Sequence, residues 1–260
     1  MKLDLNNKVV VLTGCNGQLG ESFTNYLLNS GAKVFGIDLK VSSHIQNPNF
    51  IYFSSDITKT ESLKKALLKC IEVFSYPNVL INNAAIDTPP GSNSNDTGPF
   101  EDFSDATLSK VIDVNIKGLI NCCKIFGKSM SENKDGSIIN ISSIYGLVSP
   151  DQSIYDYKRK NGNIFYKPIS YSATKSAVFN ITRYLAVYWA KKDIRVNTLT
   201  FAGVFNNQDK DFLQNYCDRI PIGRMANPED YHGAIHFLCS DMSKYMTGSN
   251  LIIDGGWTAI

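Results

Sequence analysis

Apolar residues along this chain keep two alternating rhythms. Short, almost unbroken runs rich in Val, Ile, Leu and Phe occupy 9–12, 33–37, 50–54, 79–81, 137–141, 195–199 and 250–253. Between them lie segments in which apolar positions recur every three or four residues, near 18–29, 59–74, 108–130, 171–191 and 228–240. The first rhythm predicts strands buried on both faces, and the second predicts helices with one apolar face. Strands alternating with helices from end to end predict an α/β fold. The arrangement expected is a doubly wound parallel seven-stranded sheet with helices on both faces. No shift in composition marks a boundary, so 1–260 reads as a single domain.

The first strand–helix junction reads Thr13-Gly14-Cys15-Asn16-Gly17-Gln18-Leu19-Gly20. Glycines at such a turn let the backbone bend tightly and come close to a pyrophosphate held at the helix N-terminus. An acid, Asp38, ends the second strand 18 residues beyond Gly20. A carboxylate there can accept hydrogen bonds from ribose hydroxyls and would repel a 2′-phosphate. The expectation is a Rossmann dinucleotide site that takes NAD in preference to NADP, with Lys40 the one nearby residue that argues the other way.

Composition narrows the class. Hydrophobic residues make up 43% and charged residues 19%, with a formal net charge of +2, as in a soluble globular protein. Nothing in that balance asks for nucleic acid, and no apolar run is long enough to span a bilayer. The chain enters its first strand without a signal peptide, so a cytoplasmic protein is expected. Its six cysteines form no Cys-x-x-Cys and no metal-like grouping with His44, His232 or His236, and read as reduced core residues. No metal is expected.

The candidate chemistry lies at Ser170-Tyr171-Ser172-Ala173-Thr174-Lys175, where a long helical pattern begins. Residues four apart share a helix face, so Tyr171 and Lys175 can enter one cavity. A neighbouring ammonium favours the phenolate and would lower the tyrosine from its usual ~10, making it a general acid or base. The spacing alone decides little, since Tyr188 and Lys192 repeat it.

Taken in order, Thr13-Gly14…Gly20, Asp38, Asp56-Ile57, Asn82-Asn83-Ala84-Ala85, Asp113-Val114-Asn115, Ile141-Ser142-Ser143, Tyr171…Lys175 and Asp254-Gly255-Gly256 resemble the short-chain dehydrogenase/reductase family over essentially the whole chain. The resemblance implies a catalytic set of Asn115, Ser143, Tyr171 and Lys175. Tyr171 would be the acid/base, Ser143 would hydrogen-bond the substrate oxygen, and Lys175 would bind the nicotinamide ribose and lower the tyrosine. Asn115 would bulge its helix and hold a relay water. Cofactor contacts are implied for Gly14, Asn16, Gly17, Gln18, Leu19 and Gly20, for Asp38, Asp56 and Ile57, for Asn83, Ala84 and Ala85, and for Tyr171, Lys175 and the Val204 backbone. A homotetramer built on the two long helices and the C-terminal segment is also implied.

Three departures accompany the match. The glycines at 14, 17 and 20 follow the spacing of the extended branch that acts on sugar nucleotides. Phe201-Ala202-Gly203-Val204 replaces the usual Pro-Gly after the sixth strand. Ser143 and Tyr171 stand 28 positions apart, farther than in compact members. The usual spacing points instead to Tyr155. But Arg159 follows Tyr155 where Lys is wanted, and 155–162 reads as a polar loop.

Residues 149–168 are therefore an insertion beside the site. Its Tyr155, Tyr157, Lys158, Arg159, Lys160, Tyr166 and Lys167 suit a sugar-like anion, with Tyr155 and Arg159 as candidate substrate contacts; a solvated loop or an oligomer contact fits equally. Ile141–Pro150, Gly203–Gln208 and Tyr245–Gly248 further resemble bacterial members tied to flagellin modification and surface carbohydrate. The expected function is an NAD(P)-dependent interconversion of a secondary alcohol and a ketone on a sugar-derived substrate. The alternatives are an NAD-retaining sugar-nucleotide epimerase or dehydratase, and a non-catalytic NAD-binding protein.

Overall fold

A computed structural model describes residues 5–6, 8–40, 45–87 and 96–260; His44 lies outside them. The strands β1 (Val9–Thr13), β2 (Lys33–Asp38), β3 (Phe50–Ser54), β4 (Val79–Asn82), β5 (Gly136–Ser143), β6 (Ile194–Phe201) and β7 (Asn250–Ile253) form one parallel sheet. Their order is β3-β2-β1-β4-β5-β6-β7. The chain starts mid-sheet, winds to one edge, then crosses back past β1 and winds to the other. Strand order thus reverses between β1 and β4, and a crevice opens there beyond the strands' carboxyl ends.

Alternate residues of a strand enter opposite layers. Val10 and Leu12 of β1 pack beneath α1 (Gln18–Asn29) and α9 (His232–Cys239). Val9 and Val11 face α2 (Thr60–Val73) and α7 (Ile169–Trp189) on the other side. Burial on both faces is the reason the strands read as unbroken apolar runs, each fully buried Val, Leu or Ile contributing about 1.5–3 kcal/mol.

The helix expected over 108–130 is longer and twice interrupted. It runs through α3 (Asp105–Ile112), a π-turn at Asp113–Gly118, α4 (Leu119–Cys122), a second π-turn at Cys123–Gly127, and α5 (Lys128–Asn133). Ser104 caps its start by accepting from Thr107 N–H at 3.3 Å. A Cβ on Gly118 would lie 2.6 Å from the Ile57 side chain, so glycine is what lets this helix close on the residues after β3.

Two helical segments have no counterpart in the sequence reading. The stretch 155–162, expected as a polar loop, instead carries a 3₁₀ turn at Gln152–Tyr155 running into α6 (Asp156–Lys160). Asp151 caps that turn through Ser153 N–H at 2.9 Å. Beyond β6, α8 (Lys210–Cys217) starts at Asp209, which accepts from Phe212 N–H at 2.8 Å. Its apolar residues Phe212, Leu213 and Tyr216 pack on the insertion.

A buried polar chain ties α7 to the sheet. Asn82 donates to Asn140 Oδ1 at 2.8 Å, Asn140 donates to Thr182 Oγ1 at 2.9 Å, and Thr198 donates to the same hydroxyl at 2.9 Å. Partnered buried amides and hydroxyls of this kind fix one helix position, because any shift would strand them without water. All six cysteines are free thiols, and among the described residues no three His, Cys, Asp or Glu side chains form a metal cluster.

Candidate active site

The carboxyl ends of β1 and β4 are stitched together. Thr13 Oγ1 accepts from both Asn83 N–H and Ala84 N–H at 3.1 Å. The Asn83 amide donates back to the Thr13 and Gly14 carbonyls at 3.1 and 3.2 Å. Gly14 sits at φ +69, where a Cβ would come within 2.9 Å of Ala84. At Gly20 a Cβ would lie 2.0 Å from the Gly14 carbonyl oxygen, so both glycines are demanded by the turn itself. Gly17 differs: its nearest neighbour would be 3.5 Å away, and it opens α1 without a side-chain cap. Its N–H turns back to the Gly14 carbonyl at 3.2 Å, and the residue lines a cavity at the N-terminus of α1, where an anion is favoured.

Asp38, at the tip of β2, accepts from Asn16 N–H at 3.0 Å and Leu39 N–H at 2.7 Å. With Gly14, Gly17, Asp56, Ile57, Ala84 and Val114 it lines a cavity of ≈ 260 Å³. Asp56 accepts from Thr58 N–H and Oγ1, and Asn121 holds the Ile57 carbonyl at 3.2 Å. A second cavity of ≈ 310 Å³ holds Leu19, Ser143, Tyr155, Tyr171, Lys175 and Val204. Asn83 and Ala85 line both, so the two form one trench across the strand crossover. The trench and the uncapped helix end have the form an extended dinucleotide requires. Asn16 and Gln18 act at its rim: Asn16 also donates to the Lys40 carbonyl, and Gln18 donates to the Phe205 carbonyl at 2.6 Å. The Val204 carbonyl is already taken by Gln208 at 2.9 Å.

Ser143, Tyr171 and Lys175 converge in the second cavity despite their separation in sequence. Ser143 ends β5; its hydroxyl oxygen accepts from Tyr145 N–H at 3.2 Å, and the hydroxyl also meets Tyr171. Lys175, one turn along α7 from Tyr171, donates to the Ile141 carbonyl at 3.0 Å, with its ammonium 5.7 Å from the Tyr171 ring centre. Asn115 occupies the first π-turn, as its expected bulge requires. Its carboxamide accepts from Ile86 N–H and donates to Ile86 O, both at 2.8 Å, and donates to Thr174 at 3.0 Å. The side chain thus clamps the chain beyond β4 to the start of α7.

One electrostatic expectation is reversed. Tyr171 lies above the ordinary tyrosine range, chiefly because burial disfavours the phenolate and secondly because Asp87 repels it; a hydrogen bond with Ser143 only partly offsets both. Lys175 does not pull it down here. The lysine is itself lowered to about 8 by burial, against an opposing pull from Asp87.

The insertion places its residues unevenly. Tyr155, the competitor for Tyr171, is buried at 5% exposure against Phe165 and Phe212, with ring centres 4.8 and 5.8 Å away. It reaches the cavity wall, and the residue four positions on is Arg159. Arg159 is occupied within the insertion: it donates to the Phe165 and Gln152 carbonyls at 2.6 and 2.7 Å, pairs with Asp156, and covers the Tyr166 ring. Lys158 lies over Phe165, 4.4 Å from the ring centre. Neither lines the cavity. The residue that does is Lys167, paired there with Asp87. Sequence reading named Lys167 only as part of the insertion and missed Asp87, although an acid directly after Asn83-Ala84-Ala85-Ile86 was a visible signal.

A family model described as enoyl-(acyl carrier protein) reductase matches residues 18–258. A short-chain dehydrogenase from Leptospira borgpetersenii, solved with bound NAD+, is 36% identical and covers 96% of this chain and 92% of its own, with a TM-score of 0.86. At that length and identity the chain belongs to the short-chain dehydrogenase/reductase family, the NAD(P)-dependent oxidoreductases of CH–OH groups. Curated relatives span nearly all of it. One is a 2-dehydro-3-deoxy-D-gluconate 5-dehydrogenase of Escherichia coli, 29% identical over 268 residues, covering 98% of this chain and 97% of that one. Another is the post-translational flagellin modification protein A of Campylobacter coli, 27% identical over 262 residues, with 97% and 99% covered.

Proposed function

We propose that the protein is an NAD-dependent dehydrogenase/reductase interconverting a secondary alcohol and a ketone on a sugar or sugar-derived substrate. The observation that carries this reading is the meeting of Ser143, Tyr171 and Lys175 in one cavity that continues through Asn83 and Ala85 into the Asp38 cavity. When bound, the nicotinamide cofactor supplies or accepts the hydride at the reacting carbon.

The chain's own residues handle the proton. In reduction Tyr171, a neutral phenol near pH 7, donates its proton to the carbonyl oxygen, and in oxidation it takes the hydroxyl proton back. The Ser143 O–H donates to the same oxygen and steadies it as charge develops. Lys175, lowered to about 8 by burial, holds the ribose and is one of two ammonium groups beside the Tyr171 ring. Asn115 keeps the Ile86 segment and α7 in register. Asp38 favours NAD by repelling a 2′-phosphate, and the Lys40 carbonyl beside it accepts from Asn16. The solved relative with bound NAD+ supports this choice. The gluconate-type and flagellin-modification relatives support a carbohydrate substrate and a surface-carbohydrate role. A homo-oligomer, a tetramer in form, is proposed through the exposed α7 face. Among the described residues no helix is long and apolar enough to cross a membrane, in keeping with the cytoplasmic placement proposed.

Purified protein offered NAD or NADP with a panel of polyols, sugar acids and nucleotide sugars should produce NADH on one of them. Tyr171→Phe should lower that turnover by roughly 10²–10⁴ while NADH binding, followed by its fluorescence, persists. Tyr155→Phe should keep most of the activity; loss at 155 with retention at 171 would refute the assignment.

A further inference from the structure

The polar end of the substrate cavity is made by two side chains with no part in the proton chemistry. Lys167, two residues before α7, pairs with Asp87, which follows β4 and the Asn83–Ile86 segment. Their side chains are 13% and 44% exposed. The ammonium lies 5.0 Å from the Tyr171 ring centre and 5.9 Å from that of Tyr145, so it sits directly over the proposed acid. Lys175 and Lys167 therefore approach the Tyr171 ring from two places, but only Lys167 is neutralised by a carboxylate.

The pair is incomplete in one respect. Asp87 Oδ2 is held by Lys167, whereas Oδ1 is buried and has no partner among the described residues. A carboxylate oxygen shut away from water without a donor is costly, and it asks for an O–H or N–H to fill it. Lys167, for its part, has three N–H donors and is shown giving one. Because the two charges already cancel, an added anion gains little here and meets the Asp87 carboxylate. A hydroxyl pair gains on both sides, one O–H donating to Asp87 and one oxygen accepting from Lys167.

We propose that Asp87 and Lys167 are specificity-determining residues that read a hydroxyl adjacent to the reacting carbinol, so that the substrate is a vicinal diol with an uncharged end at this point. The proposal rests on the Tyr171 cavity being the active site and narrows its substrate class from sugar-derived to polyhydroxylated beside the reacting carbon. It also moves the specificity of the insertion from Lys158, Arg159 and Lys160 to Lys167. The aromatic walls of Tyr145, Tyr155 and Tyr216 leave Asp87 and Lys167 as the charged groups available to a ligand hydroxyl on that side.

The test compares trans-1,2-cyclohexanediol with cyclohexanol, which differ by the one hydroxyl in question. Wild-type enzyme with NAD should favour the diol in kcat/KM by roughly tenfold or more, the discrimination expected when a buried acceptor is left unfilled. In Lys167→Met and Asp87→Ala that ratio should fall towards one, mainly through KM, and Lys167→Arg should restore part of it. Ligand-observed saturation transfer from the NADH-loaded enzyme gives a reading that needs no turnover: the diol should be contacted more strongly than the mono-ol by wild type and by Tyr171→Phe, and equally by Lys167→Met. A wild type that binds both alike, or a preference that survives Lys167→Met, would overturn the proposal. Undiminished turnover in Tyr171→Phe would instead overturn the reading of the active site, so the two failures are distinct.

Discussion

Lys175 holds its charge where burial works against it. A free lysine titrates near 10.5, and here it does so at about 8. Below 8 the ammonium is charged in the folded and unfolded chains alike, and the fold bears the whole desolvation penalty. Between 8 and 10.5 the unfolded chain binds more protons than the folded one, so the stability contributed by this group rises with pH across that window. Lys175→Met should therefore raise the melting temperature at pH 7, by about 2–4 °C for each kcal/mol recovered. The gain should shrink as pH climbs from 8 towards 10.5, and turnover should be lost. Scanning calorimetry at several pH values reads this directly; a variant less stable than wild type at pH 7 would contradict it. Tyr171 shows the same limit of sequence reading. Its four-residue spacing from Lys175 is plain in the chain, but the sign of its shift is set by burial and by Asp87, neither of which spacing reveals.

At the scale of the element, the three glycines of the first turn look equivalent in sequence and are not. Gly20→Ala would push a methyl to 2.0 Å from the Gly14 oxygen, on a turn braced by Asn83, and should leave little folded protein. Gly17→Ala meets nothing closer than 3.5 Å and should fold with a near-normal melting temperature. Its methyl would intrude on the cavity that Gly17 lines, so NADH affinity should fall about tenfold, roughly 1.4 kcal/mol. Fluorescence titration beside a melting curve separates the two outcomes. The π-turn at Asn115 belongs to this scale as well. A helix was legible over 108–130, but its bulge depends on Ile86 and Thr174, which reach Asn115 only in the folded chain.

For the molecule as a whole, the outer face of α7 carries a run of exposed apolar side chains. Tyr184, Val187 and Tyr188 are 67, 82 and 66% exposed, beside a groove shared with Ile116, Ile120 and Ile181. An apolar stripe of this kind on a helix is more than solvent tolerates singly, and it supports the proposed assembly of like chains. Val187→Glu combined with Tyr188→Glu should reduce the mass seen by light scattering without altering the fold seen by circular dichroism. A wild type that is already a monomer would end that reading.

Ser143 is reached from the sequence only through the family resemblance, whereas the alternation of strands and helices, the turn at Gly14–Gly20, Asp38 and the spacing of Tyr171 from Lys175 are determined by the sequence itself. Those features are local: two-sided burial writes unbroken apolar strands, a tight turn demands glycine, and a helix turn fixes the distance from residue 171 to 175. Tertiary structure alone decided where the side chains of the insertion lie. Asp87 and Lys167 lie 80 positions apart and meet only because β4 and the start of α7 open into the same crevice. The same packing turned Arg159 inward to bind carbonyls of its own loop, raised Tyr171 and lowered Lys175. Charge and contact at that distance follow from which chain segments the sheet brings together, and no spacing rule along the chain contains that information.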